Sequence, residues 1–69
     1  MNTACARATN DSYIYEATVD LDAEDILVVW RIDPDTNTPR LVHWADLPEE
    51  AQDDLSMDCL VNHGFSLLE

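Results

Sequence analysis

The chain has 69 residues, with 15 Asp or Glu against 3 Lys or Arg, so its formal charge at pH 7 is −12. All three cations are arginines. A surface this acidic repels phosphate, which excludes direct binding to nucleic acid or to an anionic membrane. Because 46% of the residues are apolar, the chain is a folded domain rather than a disordered acidic tail, and its length allows one domain only, residues 1–69.

The first part of the chain carries little structural signal. Residues 1–12 are small and polar with no sustained period, so we expect a loose arm or a single helical turn there. No apolar run typical of a signal peptide is found at the start, and the longest apolar run, residues 26–30, falls far short of the roughly 20 residues that cross a membrane. We therefore expect a soluble, cytoplasmic protein in which a disulfide between Cys5 and Cys59 is disfavoured.

Three segments are typical of β strands. From Tyr13 to Leu21 apolar and polar residues alternate, which predicts a strand with one buried and one wet face. Residues 26–32 are apolar on both faces, as in a central strand. After a segment of turn-forming residues at 33–39, residues 40–44 predict a short third strand.

The C-terminal third predicts one helix, from about residue 48 to residue 62. Pro48 and two acids occupy its first turn, and Gly64 is a typical C-terminal stop. Leu60 widens an apolar stripe that recurs every four residues and consists of Leu47, Ala51, Leu55 and Cys59.

The predicted architecture is α+β, a three-stranded antiparallel sheet with one helix packed across it in the order β-β-β-α. We expect Trp30 and Trp44 to pack in the core against this helix. The apolar residues that follow the helix, within 65–68, are expected to fold back onto the core or to add a short edge strand.

One segment resembles the start of a calcium loop. Asp33, Asp35 and Asn37 stand at the first three ligand positions, but Thr38 and Trp44 stand where the loop needs a glycine and a bidentate glutamate. We therefore interpret residues 33–39 as Asx-type turns.

Cys59 and His63 are four residues apart and could share a helix face as two zinc ligands. The other candidate ligands, Cys5 and His43, lie at spacings that match no zinc site, which favours a core thiol and a histidine at the helix C-terminus. Gly64 is the only glycine, so a glycine-rich phosphate loop is absent, and a chain this small offers few sheltered clefts for a catalytic carboxylate. We expect no cofactor and no enzymatic activity.

Most of the acids fall into two clusters, at 16–25 and 46–58. On the predicted helix, acids four residues apart are like-charge neighbours, and each such pair costs roughly 0.2–0.5 kcal/mol. A chain selected for stability alone would carry lysines in this stripe. We expect two adjoining acidic patches that bind a partner through Glu16, Asp20, Asp22, Glu24, Asp25, Asp46, Glu49, Glu50, Asp53, Asp54 and Asp58.

The density of these charges is comparable with that of DNA. If most of the acids share half of the surface, the density is roughly one per 150 Å², against about one per 110 Å² for duplex DNA. Helix residues four apart and alternate strand residues are spaced about 6–7 Å apart, close to the spacing of neighbouring phosphates. A basic site built to bind DNA would meet a similar electrostatic partner here.

In its length, its charge and its helix run Glu49-Glu50-x-x-Asp53-Asp54-x-x-x-Asp58, the chain resembles the small acidic DNA-mimic inhibitors of phages and mobile elements, anti-CRISPR proteins among them. The resemblance implies an inhibitor that occupies the basic DNA-binding surface of a host protein or of a CRISPR effector complex. Such an inhibitor acts by occupancy without catalytic residues, as a monomer or small homodimer, and lies in the host cytoplasm if it is phage-encoded.

Two other interpretations stay open. Proteins of high-salt cytoplasm also accumulate acids, lose lysine and keep arginine, so the acids are consistent with a halophile-adapted domain of unknown function. Alternatively, the chain is an acidic protein-interaction module, such as an antitoxin, that contacts its partner through an apolar patch anchored by Trp30 and Trp44.

Overall fold

The computed structural model describes residues 1–68, which form one antiparallel sheet and one α helix. Each strand pairs with the next along the chain, so the sheet order is β1-β2-β3-β4. A short 3₁₀ turn at Trp44–Asp46 leads from the sheet into the helix. The elements are β1 (Thr3–Thr9), β2 (Ile14–Asp20), β3 (Asp25–Ile32), β4 (Pro39–Val42) and α1 (Glu49–His63).

The α+β class is confirmed, but the sheet has four strands where the sequence predicted three. The expectation of an arm or helical turn at residues 1–12 was wrong, because Thr3–Thr9 pairs along its full length with β2. The missed signal is the alternation of Ala4, Ala6 and Ala8 with polar residues. Alanine is depleted in strands, but here these small side chains lie under the helix, with Ala6 and Ala8 buried.

The core lies between the sheet and α1. Alternate residues of β2 point into it, as predicted, and so does the predicted helix stripe at Leu47, Ala51, Leu55 and Cys59. Leu60 does not widen this stripe, since 45% of it is exposed. It lies on α1 outside the face that packs against β1 and β2.

Both termini of the helix lie within one residue of their predicted positions. The carbonyl of Pro48 accepts the N–H of Gln52 at 3.1 Å, so helical bonding begins at the proline. Gly64 adopts the left-handed conformation, with φ of 84°, and its N–H donates to the carbonyl of Leu60 at 3.0 Å. Only a residue without a Cβ reaches this conformation without strain.

The residues after the helix fold back onto the core and, up to residue 68, form no strand. Phe65 is buried and Leu67 packs against the core. Ser56, a buried helix residue, holds this segment: its hydroxyl lies 2.8 Å from that of Ser66 and accepts the N–H of Leu67 at 3.0 Å. The segment therefore closes the end of the core that α1 leaves open.

The two acidic turns are closed by their own carboxylates. In the β2–β3 turn, Oδ1 of Asp20 accepts the N–H groups of Asp22 and Ala23 at 3.0 and 3.2 Å. In the β3–β4 turn, Oδ1 of Asp33 accepts those of Asp35 and Thr36 at 2.8 and 3.3 Å. The prediction of an Asx-type turn at 33–39 is confirmed.

Candidate interaction surfaces

The acids around the start of α1 form a group of exposed carboxylates that no cation in the described part of the chain neutralises. We call this group, Asp46, Glu49, Glu50 and Asp53, the helix-start cluster. All four side chains are exposed, and Glu49 and Asp53 are like-charge neighbours four residues apart on α1, whereas Asp46 lies in the 3₁₀ turn before the helix. Within residues 1–68 the only ion pair joins Arg7 to Glu16, so no cation lies within 4.0 Å of the cluster.

Asp54 follows this cluster on α1, but its carboxylate accepts a hydrogen bond from another part of the fold. The hydroxyl of Tyr13 donates to Oδ2 of Asp54 at 3.3 Å. Burial of the phenol raises the pKa of Tyr13 above its ordinary value, and the charges of Glu50 and Asp54 raise it further. The phenol therefore stays a hydrogen-bond donor, and Asp54 links the helix to the start of β2.

The sequence placed Asp58 in an acidic stripe free to bind a partner, but in the structure its carboxylate has hydrogen-bond partners within the fold. Its Oδ2 accepts the backbone N–H of Arg7 at 2.8 Å, and its Oδ1 accepts the side-chain amide of Asn62 at 3.0 Å. The carboxylate is half-buried between the helix and the outer edge of β1. Its carboxylate thus holds the edge of the sheet against the helix.

The acids of residues 16–25 lie apart from the helix-start cluster, and the expectation of adjoining patches was wrong. Asp54 meets Tyr13 just before β2 begins, whereas Asp20, Asp22, Glu24 and Asp25 lie where β2 ends and β3 begins. Seven strand residues span about 20 Å, so the two groups occupy opposite ends of the sheet. Two acids at the β2–β3 turn accept backbone hydrogen bonds that stabilise the turn. Asp20 accepts the N–H of Asp22, and Oδ1 of Asp25 accepts the N–H of Ile26 at 2.8 Å.

Glu16 lies on neither patch. Its side chain is on the sheet face opposite the helix, where it pairs with Arg7 across β1 and β2 at 3.8 Å. Both side chains are partly exposed, so the pair contributes little stability but neutralises the charge on this part of the face.

The face of the sheet away from α1 is uncovered and largely apolar on β3 and β4. We call it the open face; by strand register its side chains include Thr3, Cys5, Arg7, Thr9, Ile14, Glu16, Thr18, Asp20, Val28, Trp30, Ile32 and Leu41. The register places Trp30 between Glu16 and Leu41 in one cross-strand row. Leu41 is 60% exposed, and no element of residues 1–68 packs over this row.

Trp30 does not pack against the helix, and that expectation was wrong. It alternates with Val29, which is 2% exposed and points into the core, so Trp30 must point to the open face. Trp44, by contrast, packs against the core as predicted. The apolar run 26–32 was correctly assigned to an inner strand, but only one of its two faces is covered by the rest of the chain.

The two cysteines lie on opposite sides of the sheet. Cys59 is fully buried under the sheet, where burial and then the charge of Asp58 raise its thiol pKa. Cys5 is exposed on the open face, between the core-facing Ala4 and Ala6. Both are free thiols, and the complete burial of Cys59 confirms its interpretation as a core thiol.

No metal centre is evident in the part of the chain that the structure describes. His63 is the last residue of α1, as predicted, and residues 1–68 contain no group of three or more His, Cys, Asp or Glu side chains that could hold a metal ion.

Comparisons with known proteins assign no family. A scan against protein-family models found no match, and neither the curated proteins nor the solved structures contain a significant match to this chain. Across residues 1–68, no helix is long and apolar enough to cross a membrane.

Proposed function

We propose that the chain is an acidic DNA-mimic inhibitor that occupies the DNA-binding surface of a nucleic-acid-binding effector. The effector that we favour is a CRISPR complex, whose binding to target DNA the chain would block as an anti-CRISPR protein. The observation that carries the proposal is the helix-start cluster, four exposed carboxylates with no cation within 4.0 Å. The repulsion among these carboxylates is offset by no cation of the described chain, so a partner that supplies the missing cations would relieve it.

The geometry of the cluster suits a phosphate-binding groove. Glu49 and Asp53, four residues apart on α1, lie about 6 Å apart along the helix axis, near the spacing of successive phosphates. The site is smaller than the sequence suggested, because Asp20, Asp25, Asp54 and Asp58 have hydrogen-bond partners within the fold. The inhibitor would therefore mimic a short stretch of one DNA strand.

The proposal is tested by competition between the protein and duplex DNA. Affinity capture from host lysate at about 0.1 M salt isolates the target, and a gel-shift assay then measures displacement of DNA from it. The test variant carries Asp46→Asn, Glu49→Gln, Glu50→Gln and Asp53→Asn. The matched control, Asp11→Asn with Asp35→Asn, removes two charges at exposed positions outside both predicted patches and is compared with the double variant Glu49→Gln with Asp53→Asn.

We expect the cluster variant to lose competition with DNA and the control variant to retain most of it. Equal loss in the control and in the double cluster variant would mean that net charge alone drives association. A ternary complex of target, DNA and protein would exclude mimicry at the DNA site.

The open face favours a second candidate, an acidic protein-interaction module such as an antitoxin. Trp30 and Leu41 lie side by side on it, and aromatic residues of this kind anchor protein interfaces. Salt separates the two candidates: charge-driven binding weakens steeply between about 0.05 and 0.5 M salt, whereas docking through the open face does not. Trp30→Ala should abolish only the second kind of binding.

A further inference from the structure

Arg31 and Arg40, two of the three cations in the chain, lie directly opposite each other on β3 and β4. Residues in such a cross-strand pair have Cα atoms about 4.5–5.5 Å apart and side chains on the same face of the sheet. Arg31 also pairs with Tyr15, whose side chain points to the helix side, so both arginines project on that side, beyond the part that α1 covers. Both are exposed.

This arrangement is unexpected in so acidic a chain. Like charges directly opposite each other destabilise a sheet. Fifteen acids are present, yet within residues 1–68 neither arginine has a carboxylate within 4.0 Å. Two arginines at opposite positions of neighbouring strands, with no carboxylate of the described residues within 4.0 Å, form a receptor for an anion that both guanidinium groups can reach.

Two hollows flank the arginine pair. One, of about 430 Å³, is lined by both arginines and by the β3–β4 turn, including Thr36 and Thr38. The hydroxyl of Thr36 donates to that of Thr38 at 2.9 Å, which leaves the Thr38 hydrogen free to donate to a ligand. The other hollow, of about 270 Å³, is shared by the same arginines with Tyr15, His43 and Asp46.

We propose that Arg31 and Arg40 bind the phosphate group of a small ligand, which bridges the two guanidinium groups. A phosphate dianion matches the double positive charge, and its tetrahedral oxygens accept from both planar forks at once, which a single carboxylate does less well. Asp33 and Asp46 border the two hollows, and the net charge of the chain is −12, so a long polyanion is repelled while one phosphate is accommodated. The site shares Asp46 with the helix-start cluster, but it does not require the function proposed above, and its test uses the free protein.

The test measures the NMR signals of the three arginine side chains during a phosphate titration. Because the chain has three arginines and no lysine, the side-chain Nε–Hε region of its NMR spectrum contains three signals. Inorganic phosphate is titrated at constant ionic strength, with acetate as a parallel titrant. We expect the Arg31 and Arg40 signals to move together, with half-saturation at about 1–10 mM phosphate, while the Arg7 signal stays in place.

Variants assign the binding to the pair. Arg31→Gln and Arg40→Gln should each raise the half-saturation point at least fivefold, and the matched control Arg7→Gln, which removes the same charge on the open face, should change it less than about twofold. If Arg31→Gln disturbs the fold, Arg31→Lys keeps the charge, loses the planar fork and should weaken binding to a lesser degree. Titrations with phosphoserine and with a nucleoside monophosphate then show whether a modified peptide or a nucleotide is the source of the phosphate.

The proposal fails if the signals of all three arginines move alike, because phosphate would then associate with each arginine non-specifically. It also fails if acetate saturates the pair as tightly as phosphate, since the pair would then recognise carboxylates. A half-saturation point unchanged by Arg31→Gln or Arg40→Gln would overturn it as well.

Discussion

The backbone N–H of Arg7 donates a 2.8 Å hydrogen bond to Oδ2 of Asp58, which joins the outer edge of β1 to the helix. β1 is an edge strand, and unpaired N–H groups on such an edge invite pairing with other chains. Asp58 accepts a hydrogen bond from one of these N–H groups and places a negative charge beside the edge. It therefore stabilises the sheet and opposes edge-to-edge association.

Asp58→Ala should lower the free energy of unfolding by about 1 kcal/mol, because the edge N–H loses its acceptor. Asp53→Ala is the matched control: Asp53 is exposed and makes no hydrogen bond within residues 1–68, so its removal should change stability by less than about 0.5 kcal/mol. Urea denaturation at pH 7 measures both. Equal effects would show that Asp58 acts only as one more surface charge.

Tyr13 should make the stability of the protein depend on pH in the alkaline range. Burial and then the charges of Glu50 and Asp54 raise its pKa above the ordinary value of 10.0. The unfolded chain therefore ionises first as the pH rises. The stability that Tyr13 contributes is complete below about pH 10 and is lost as the pH rises through the raised pKa.

A spectrophotometric titration of tyrosinate measures this shift, with Tyr15→Phe used to isolate the Tyr13 transition. Asp54→Asn should move that transition toward lower pH, since it removes one of the two nearby charges. A Tyr13 transition at its ordinary pKa in the folded protein would contradict the contact with Asp54.

Trp30 and Trp44 should respond differently to the same substitution. Trp44→Ala should lower the free energy of unfolding by about 2 kcal/mol or more, because Trp44 packs against the core. Trp30→Ala should lower it by less than about 1.5 kcal/mol and should reduce the binding of a hydrophobic dye, because Trp30 lies on the uncovered face. Equal losses of stability would indicate that the open face is covered in solution.

Salt should stabilise the protein only modestly if its acids serve a partner. We expect a cooperative thermal transition already at about 0.1 M KCl, with a small rise in Tm as screening weakens repulsion around the helix-start cluster. A protein adapted to a saline cytoplasm would instead unfold or loosen well below about 1 M salt. Circular dichroism melts across this range distinguish the two, and loss of folding at low salt would favour salt adaptation.

The sequence predicted the elements whose local signals are strong. Each of these signals acts over a few residues: the alternation from Tyr13 onward, the turn formers at 33–39, and the proline and glycine at the two ends of the helix. The predicted ends of β2, β3 and α1 therefore lie within about one residue of the observed ends. β1 was missed because its alternation is carried by alanines, whose suitability for a strand depends on the helix packed over them. The strand after 33–39 was also shorter than predicted, ending at Val42.

The candidate sites were predicted less well, because residue type does not reveal which neighbours a side chain meets. The sequence alone determined that the chain is a small α+β domain with a large acidic excess and too few cations to neutralise it. The tertiary structure decided which acids serve the fold, as Asp58 does, and which stay unpartnered around the start of α1. It also decided that Trp30 points away from the core and that Arg31 meets Arg40, since both follow from strand register, a relation between residues that are distant in sequence.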